Sequence, residues 1–118
     1  MQKISRSAVE QHINCQKCFY LAYKYKIRPF SLPFTLNSAV DNLCKNEFDH
    51  YRAKSEPHPL FLEHGIDAVP FAHEKMNEWR ENYRGIRYID ETAGFNFGGA
   101  VDDVWQKPSG ELIIVDVK

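Results

Sequence analysis

The chain has 118 residues, 43% hydrophobic and 14% aromatic, enough apolar matter for one globular domain and too much for a disordered or fibrous chain. No apolar run approaches the roughly 18 residues that cross a bilayer. The opening Met1-Gln2-Lys3-Ile4-Ser5-Arg6 has no secretory apolar core, so a cytoplasmic protein without a membrane partner is expected. The formal net charge of −1 gives no argument for a polyanionic partner, but its distribution does. Residues 1–28 hold Lys3, Arg6, Lys17, Lys24, Lys26 and Arg28 against the single acid Glu10, a local +5 that leaves −6 for the remainder. A basic N-terminal face beside an acidic pocket suits a protein that touches phosphates and holds a cation. An ordinary solvated helix face would look the same by charge alone.

Ser7-Ala8-Val9-Glu10 has capping-box spacing, with Ser7 as N-cap. The apolar positions from Val9 through Tyr23 predict a helix to about Lys26, stopped by Arg28-Pro29 and Pro33. Within it, Cys15-Gln16-Lys17-Cys18 has the spacing of half a zinc or cluster site, with His12 and His50 as available extra ligands. No second cysteine pair follows, and the plainer reading packs Cys18 with Phe19 inside the helix. Three cysteines without an export signal argue against a disulfide framework.

A second helix is expected from Thr35 as N-cap to about Lys54. Leu36, Ala39, Val40, Leu43, Cys44, Phe48 and Tyr51 form its apolar stripe, with Asp41 at the edge. Residues 55–70, with Pro57, Pro59 and Pro70, read as an irregular segment. Phe71 to about Arg84 suggests a third helix with Met76, Trp79 and Tyr83 inward. His58, His64 and His73 read as surface residues, and Trp79 and Trp105 as core.

From Gly85 the period changes to two. Ile86, Tyr88 and Thr92 mark one strand and Phe95 to Gln106 a second. Pro108-Ser109-Gly110 turns into a last apolar strand ending Asp116-Val117-Lys118. The class is therefore α/β or α+β: N-terminal helices packed on a mixed or antiparallel sheet. Alternation puts Asp116 and Lys118 on one face, and the hairpin brings Asp102 beside or diagonal to Asp116. Two acids buried together repel and lose hydration unless a cation joins them, which argues for a hard divalent metal. Two competing readings are an exposed Asp116–Lys118 salt bridge, and a one-residue slip that makes Asp103 rather than Asp102 the ligand.

Gly99-Ala100-Val101-Asp102, followed by the Gly110 turn and the Asp116-Val117-Lys118 ending, resembles the core of the PD-(D/E)XK nuclease superfamily. It is most similar to the RecB-like branch of CRISPR-associated and recombination exonucleases. Ile4-Ser5-Arg6-Ser7 followed by Cys15-Gln16-Lys17-Cys18-Phe19-Tyr20-Leu21 resembles that branch's opening helix, with Gln16 in place of a proline. The resemblance implies a restriction-endonuclease-like core, incomplete at its C-terminus, whose further helix and strands would follow Lys118. It implies Asp102, Asp116 and Lys118 as catalytic residues, with Mg²⁺ or Mn²⁺ held by Asp102, Asp116 and the Val117 carbonyl. Asp41 would replace the branch's helix histidine, with Glu47 in reserve. Arg6, Lys17, Lys24 and Lys26 would hold nucleic acid, DNA rather than RNA. Some members carry an iron–sulfur cluster; Cys15 matches its first cysteine, and the remaining three would lie in a longer parent protein. The alternative is a catalytically inactive module of the same fold that binds nucleic acid or a protein partner.

Overall fold

A computed structural model of the chain describes residues 1–32 and 35–117, and all their side chains except that of Thr35. The expected helix stop at Pro33, the capping side chain of Thr35 and the lysine at 118 lie outside the described residues.

The chain enters through β1 (Gln2–Ser5), a strand the sequence reading did not anticipate, and turns directly into α1 (Arg6–Asn14). Ser5, not Ser7, caps this helix: its Oγ accepts the Ala8 N–H at 3.2 Å. The helix starts at Arg6, so the free amides of the first turn must be met from the residue before it. The single long helix expected to Lys26 is broken at Cys15, which is extended (φ −157, ψ 98). Its N–H closes α1 on the Gln11 carbonyl at 2.8 Å. Its Sγ accepts the Cys18 N–H at 3.2 Å and opens α2 (Gln16–Tyr25). Lys26, at φ 59, ends that helix. Cys18 is exposed rather than packed in a core.

α3 (Thr35–Lys54) fills the span expected for it. Its stripe is buried only toward the C-terminal end: Phe48 is 6% exposed, whereas Leu36, Val40 and Leu43 are open to solvent. The segment expected to be irregular holds α4 (Pro59–Glu63) and β2 (Val69–Pro70). Pro59 is tolerated at the first helical position because no amide is needed there. The helix expected over 71–84 shrinks to α5 (Met76–Trp79), with Met76 buried and Tyr83 90% exposed. Beyond Trp79 the chain folds back on itself: the Gly85 N–H donates to the Glu78 carbonyl at 3.0 Å and delivers the next strand.

β3 (Ile86–Asp90) and β4 (Phe95–Gly99) form a hairpin, with Thr92 in its turn rather than in a strand. β1 adds to β4 in parallel, giving the order β1-β4-β3. The strand expected over 95–106 is two strands in two sheets: β5 (Asp103–Gln106) pairs instead with β2 and β6 (Leu112–Val115). The break has a local cause. The Val101 N–H leaves the ladder for the Trp79 carbonyl at 3.1 Å. Gly85, at φ +59, lies so close to Gly99 that a Cβ would sit 2.3 Å from its carbonyl oxygen. Five helices and two small, mostly antiparallel sheets make this an α+β domain among the described residues.

The densest packing lies where α3 and α4 meet β5. Phe61 is fully buried with its ring 4.0 Å from Trp105, and Phe48 meets Trp105 edge-on at 5.6 Å. Beside this aromatic cluster, Asp103 is wholly buried and ion-paired to Arg52. The Asp103 carboxylate also accepts the Val104 N–H at 2.8 Å and the Trp105 indole N–H at 3.3 Å. Arg52 donates further to the Phe71 carbonyl at 2.8 Å and pairs with Asp49, which in turn takes Arg80 at 3.0 Å. Removing one partner of a buried pair strands the other charge. Arg52→Ala should therefore lower unfolding free energy by about 3–5 kcal/mol. Urea denaturation of Arg52→Met, Asp103→Asn and the double variant should show the pair losing at least about 1 kcal/mol less than the two singles summed. Simple additivity would refute a coupled clamp.

Candidate functional site

Sheet register builds the site. β5 and β6 pair antiparallel, with Asp103 opposite Val115 and Val104 opposite Ile114. One step further along that register, Asp102 comes opposite Asp116, and cross-strand neighbours share a face. Asp103 is taken up by Arg52, so the slipped alternative that made it a ligand does not hold: it faces a guanidinium inside the core. Asp102 is left on the side of Asp116.

Asp102 is partly buried, and its Oδ2 accepts the Val117 N–H at 2.7 Å. Its carboxyl holds a proton more tightly than an ordinary aspartate. The first cause is burial, which strips water from the charged form; the Asp116 carboxyl within hydrogen-bonding reach and the charge of Asp41 add to it. The Val117 amide and the ammonium of Lys45 pull the other way. Two other acids named from sequence thus act on Asp102. Asp116 and Asp102 come from the hairpin, and Asp41 from α3.

Lys45 is the residue that sequence reading missed. Its Nζ pairs with Asp41 at 2.7 Å, one helical turn apart on α3, and its charge reaches Asp102. The Asp41-x-x-x-Lys45 spacing was the available signal, since residues four apart share a helix face. Glu47, the reserve ligand, turns elsewhere: its Oε1 lies 3.2 Å from Nε2 of His58. His58 itself is buried, not a surface residue. Its Nδ1 accepts the Leu60 N–H at 3.0 Å and caps α4.

The donor set is hard oxygen, which suits Mg²⁺ or Mn²⁺ and not a soft metal. Two facing carboxylates suffice for a Mg²⁺ that keeps most of its waters. Among the described residues no group of three or more His, Cys, Asp or Glu side chains is gathered closely enough to form a fuller cage. Asp102 and Asp116 are the two carboxylates that the hairpin register brings together, and Asp41 is ion-paired to Lys45.

The basic residues named as phosphate contacts are all exposed. Arg6 opens α1 and lines a small cavity with Gly99, Ala100 and Val101, the segment leading into Asp102. Lys17, Lys24 and Lys26 lie along α2. Lys24 rests over the Tyr20 and Tyr25 rings at 5.4 and 5.8 Å. Lys26 donates to the Tyr23 carbonyl at 2.9 Å, closing the helix end. Lys45 also lines an open polar groove of about 620 Å³ with Asn42, Asn46, Asp49, Arg80 and Glu81.

No protein-family model, curated protein or solved structure matches this chain.

The raised proton affinity of Asp102 fixes the sign of a pH effect. The folded state binds this proton more tightly than the unfolded chain. Stability is therefore lost as pH rises from the ordinary aspartate range, about 4, through the raised folded value, and the loss is complete above it. Asp102→Asn keeps an oxygen for the Val117 amide and removes the charge. It should raise Tm at about pH 7 and leave it nearly unchanged at about pH 3.5. A lower Tm at neutral pH would contradict the arrangement.

Proposed function

We propose that this chain carries a metal-dependent phosphodiester-hydrolysing site of the PD-(D/E)XK type, acting on DNA, within a restriction-endonuclease-like core. The observation that carries the reading is the meeting of Asp102 and Asp116 on one side of the β5–β6 hairpin, with Asp41 and Lys45 of α3 beside them. Facing acids raise each other's proton affinity, and a divalent cation relieves that repulsion.

In this reading Asp102 and Asp116 hold Mg²⁺ or Mn²⁺, helped by the Val117 carbonyl. The Val117 N–H fixes the Asp102 carboxylate by holding Oδ2. When bound, the metal supplies positive charge to the phosphate and lowers the pKa of a water. The chain's own contribution is orientation. Lys118, two residues beyond Asp116, steers the attacking water. Arg6 and the groove around Lys45 and Arg80 hold the backbone phosphates.

One observation favours the second reading, an inactive module that keeps the fold to bind DNA or a protein partner. Lys45 already occupies Asp41, so the helix contributes no free carboxylate and an ammonium sits where added positive charge would help.

Thermal melting with added Mn²⁺ tests metal binding. The wild type should gain about 2.7 kcal/mol of stability at a hundredfold excess over Kd, and Asp116→Ala should gain nothing. Nicking of supercoiled DNA in Mn²⁺ should then fall to background in Asp102→Ala and Asp116→Ala. Metal binding with intact DNA would give the module reading the advantage. An unchanged melt in Mn²⁺ would rule out a cation site at these acids.

A further inference from the structure

Cys15 and Cys18 take no part in the acidic site, and the fold treats them as a pair. Cys15 is the hinge residue between α1 and α2. Its extended backbone makes it the N-cap of α2, and Cys18 is the third residue of that helix. The Cys15 Sγ accepts the Cys18 N–H at 3.2 Å, so a thiol stands where a capping oxygen usually does. The two thiols are also within hydrogen-bonding reach of each other. Both belong to an accessible surface, Cys18 fully exposed and Cys15 half-buried. Six positive residues fall within residues 1–28, with Lys17 between the two thiols.

We propose that Cys15 and Cys18 form a thiol–disulfide exchange site that takes small-molecule disulfides, with Cys15 as the attacking sulfur and Cys18 as the resolving one. The asymmetry is physical. The Cys18 thiol, the Cys18 amide and Lys17 all favour the Cys15 thiolate, whereas the neighbouring Cys15 sulfur disfavours ionisation of Cys18. A thiolate at a helix N-terminus also gains from the free amides of the first turn.

The exchange balances without a metal. The Cys15 thiolate attacks one sulfur of a disulfide R–S–S–R, forming Cys15–S–S–R and releasing one R–S⁻, which takes up a proton. The Cys18 thiolate then attacks the Cys15 sulfur, forming the Cys15–Cys18 bond and releasing the second R–S⁻. Two protons and two electrons pass from the pair to the small disulfide, which leaves as two thiols. The product joins the N-cap of α2 to its first turn.

The test uses the full chain equilibrated in glutathione and glutathione disulfide, quenched with acid, alkylated and digested with trypsin. Cleavage after Lys17 separates Cys15 from Cys18, so an internal disulfide appears as two peptides joined, lighter by two hydrogens than their sum. That species should rise with the disulfide fraction while Cys44 stays alkylated. The same should hold in Cys44→Ser. In Cys18→Ser, Cys15 should be trapped as a glutathione adduct. Its alkylation by iodoacetamide should be roughly tenfold faster than that of Cys18 in Cys15→Ser. Full alkylation of both thiols at the most oxidising ratio, or glutathione on both in place of a joined peptide, would overturn the proposal. Equal alkylation rates in the two serine variants would overturn the assignment of Cys15 as the attacking sulfur.

Discussion

The ion pair between Arg52 and Asp103 is the constraint on which the rest of the molecule depends. A charged carboxylate with no solvent exposure is tolerated only if its partners are complete. Here they are: a guanidinium, a backbone amide and an indole N–H. Arg52 also reaches the Phe71 carbonyl, just past β2, and Asp49 on its own helix. One side chain thus ties α3 to two strands of the β2-β5-β6 sheet. It fixes which way β5 faces, because a slip by one residue would expel Asp103 and bury Asp102 in its place.

Everything at the acidic site is a consequence of that choice. With Asp103 inward, Asp102 turns toward Asp116 and borrows the Val117 amide. α3 then serves both charge systems. Asp41 and Arg52 are 11 residues apart, close to three full turns, so they share a side of the helix about 16 Å apart along its axis. One end of α3 holds the clamp and the other presents Asp41 and Lys45 to the hairpin. The acids are kept in a balance that leaves Asp102 short of full compensation, and such uncompensated charge is where added cations act.

The molecule divides its apolar matter unevenly. Phe48, Phe61 and Trp105 make a close cluster beside the clamp, and His58 joins it as the cap of α4. The β1-β4-β3 sheet and the two N-terminal helices are held more by backbone ladders and polar ties such as Tyr23 Oη to Gln2 Oε1 at 2.8 Å. Between them lies an open apolar cavity of about 520 Å³ bordered by Ile4, Val9, Phe19, Tyr88 and Phe97. The closely packed part of the fold is the part that sets the acids.

Helical period, which is local, was legible in the residues over α3, whereas the capping side chains were not: Ser5 rather than Ser7 caps α1. The long helix from Thr35 to Lys54 and the hairpin turning at Gly110 could be read from spacing alone. What the residues could not reveal were events decided across the fold. The strand expected from Phe95 to Gln106 breaks because Val101 finds the Trp79 carbonyl and Gly85 crowds Gly99. The helix expected to Lys26 breaks because Cys15 caps its own continuation. Lys45 joined the site only when α3 was laid against the hairpin. Local pattern determined the span of α3 and the turn into β6, and it narrowed the acids that could meet to Asp102 or Asp103 with Asp116. The choice between Asp102 and Asp103 belonged to the tertiary structure, because only there does Arg52 arrive to claim one of them.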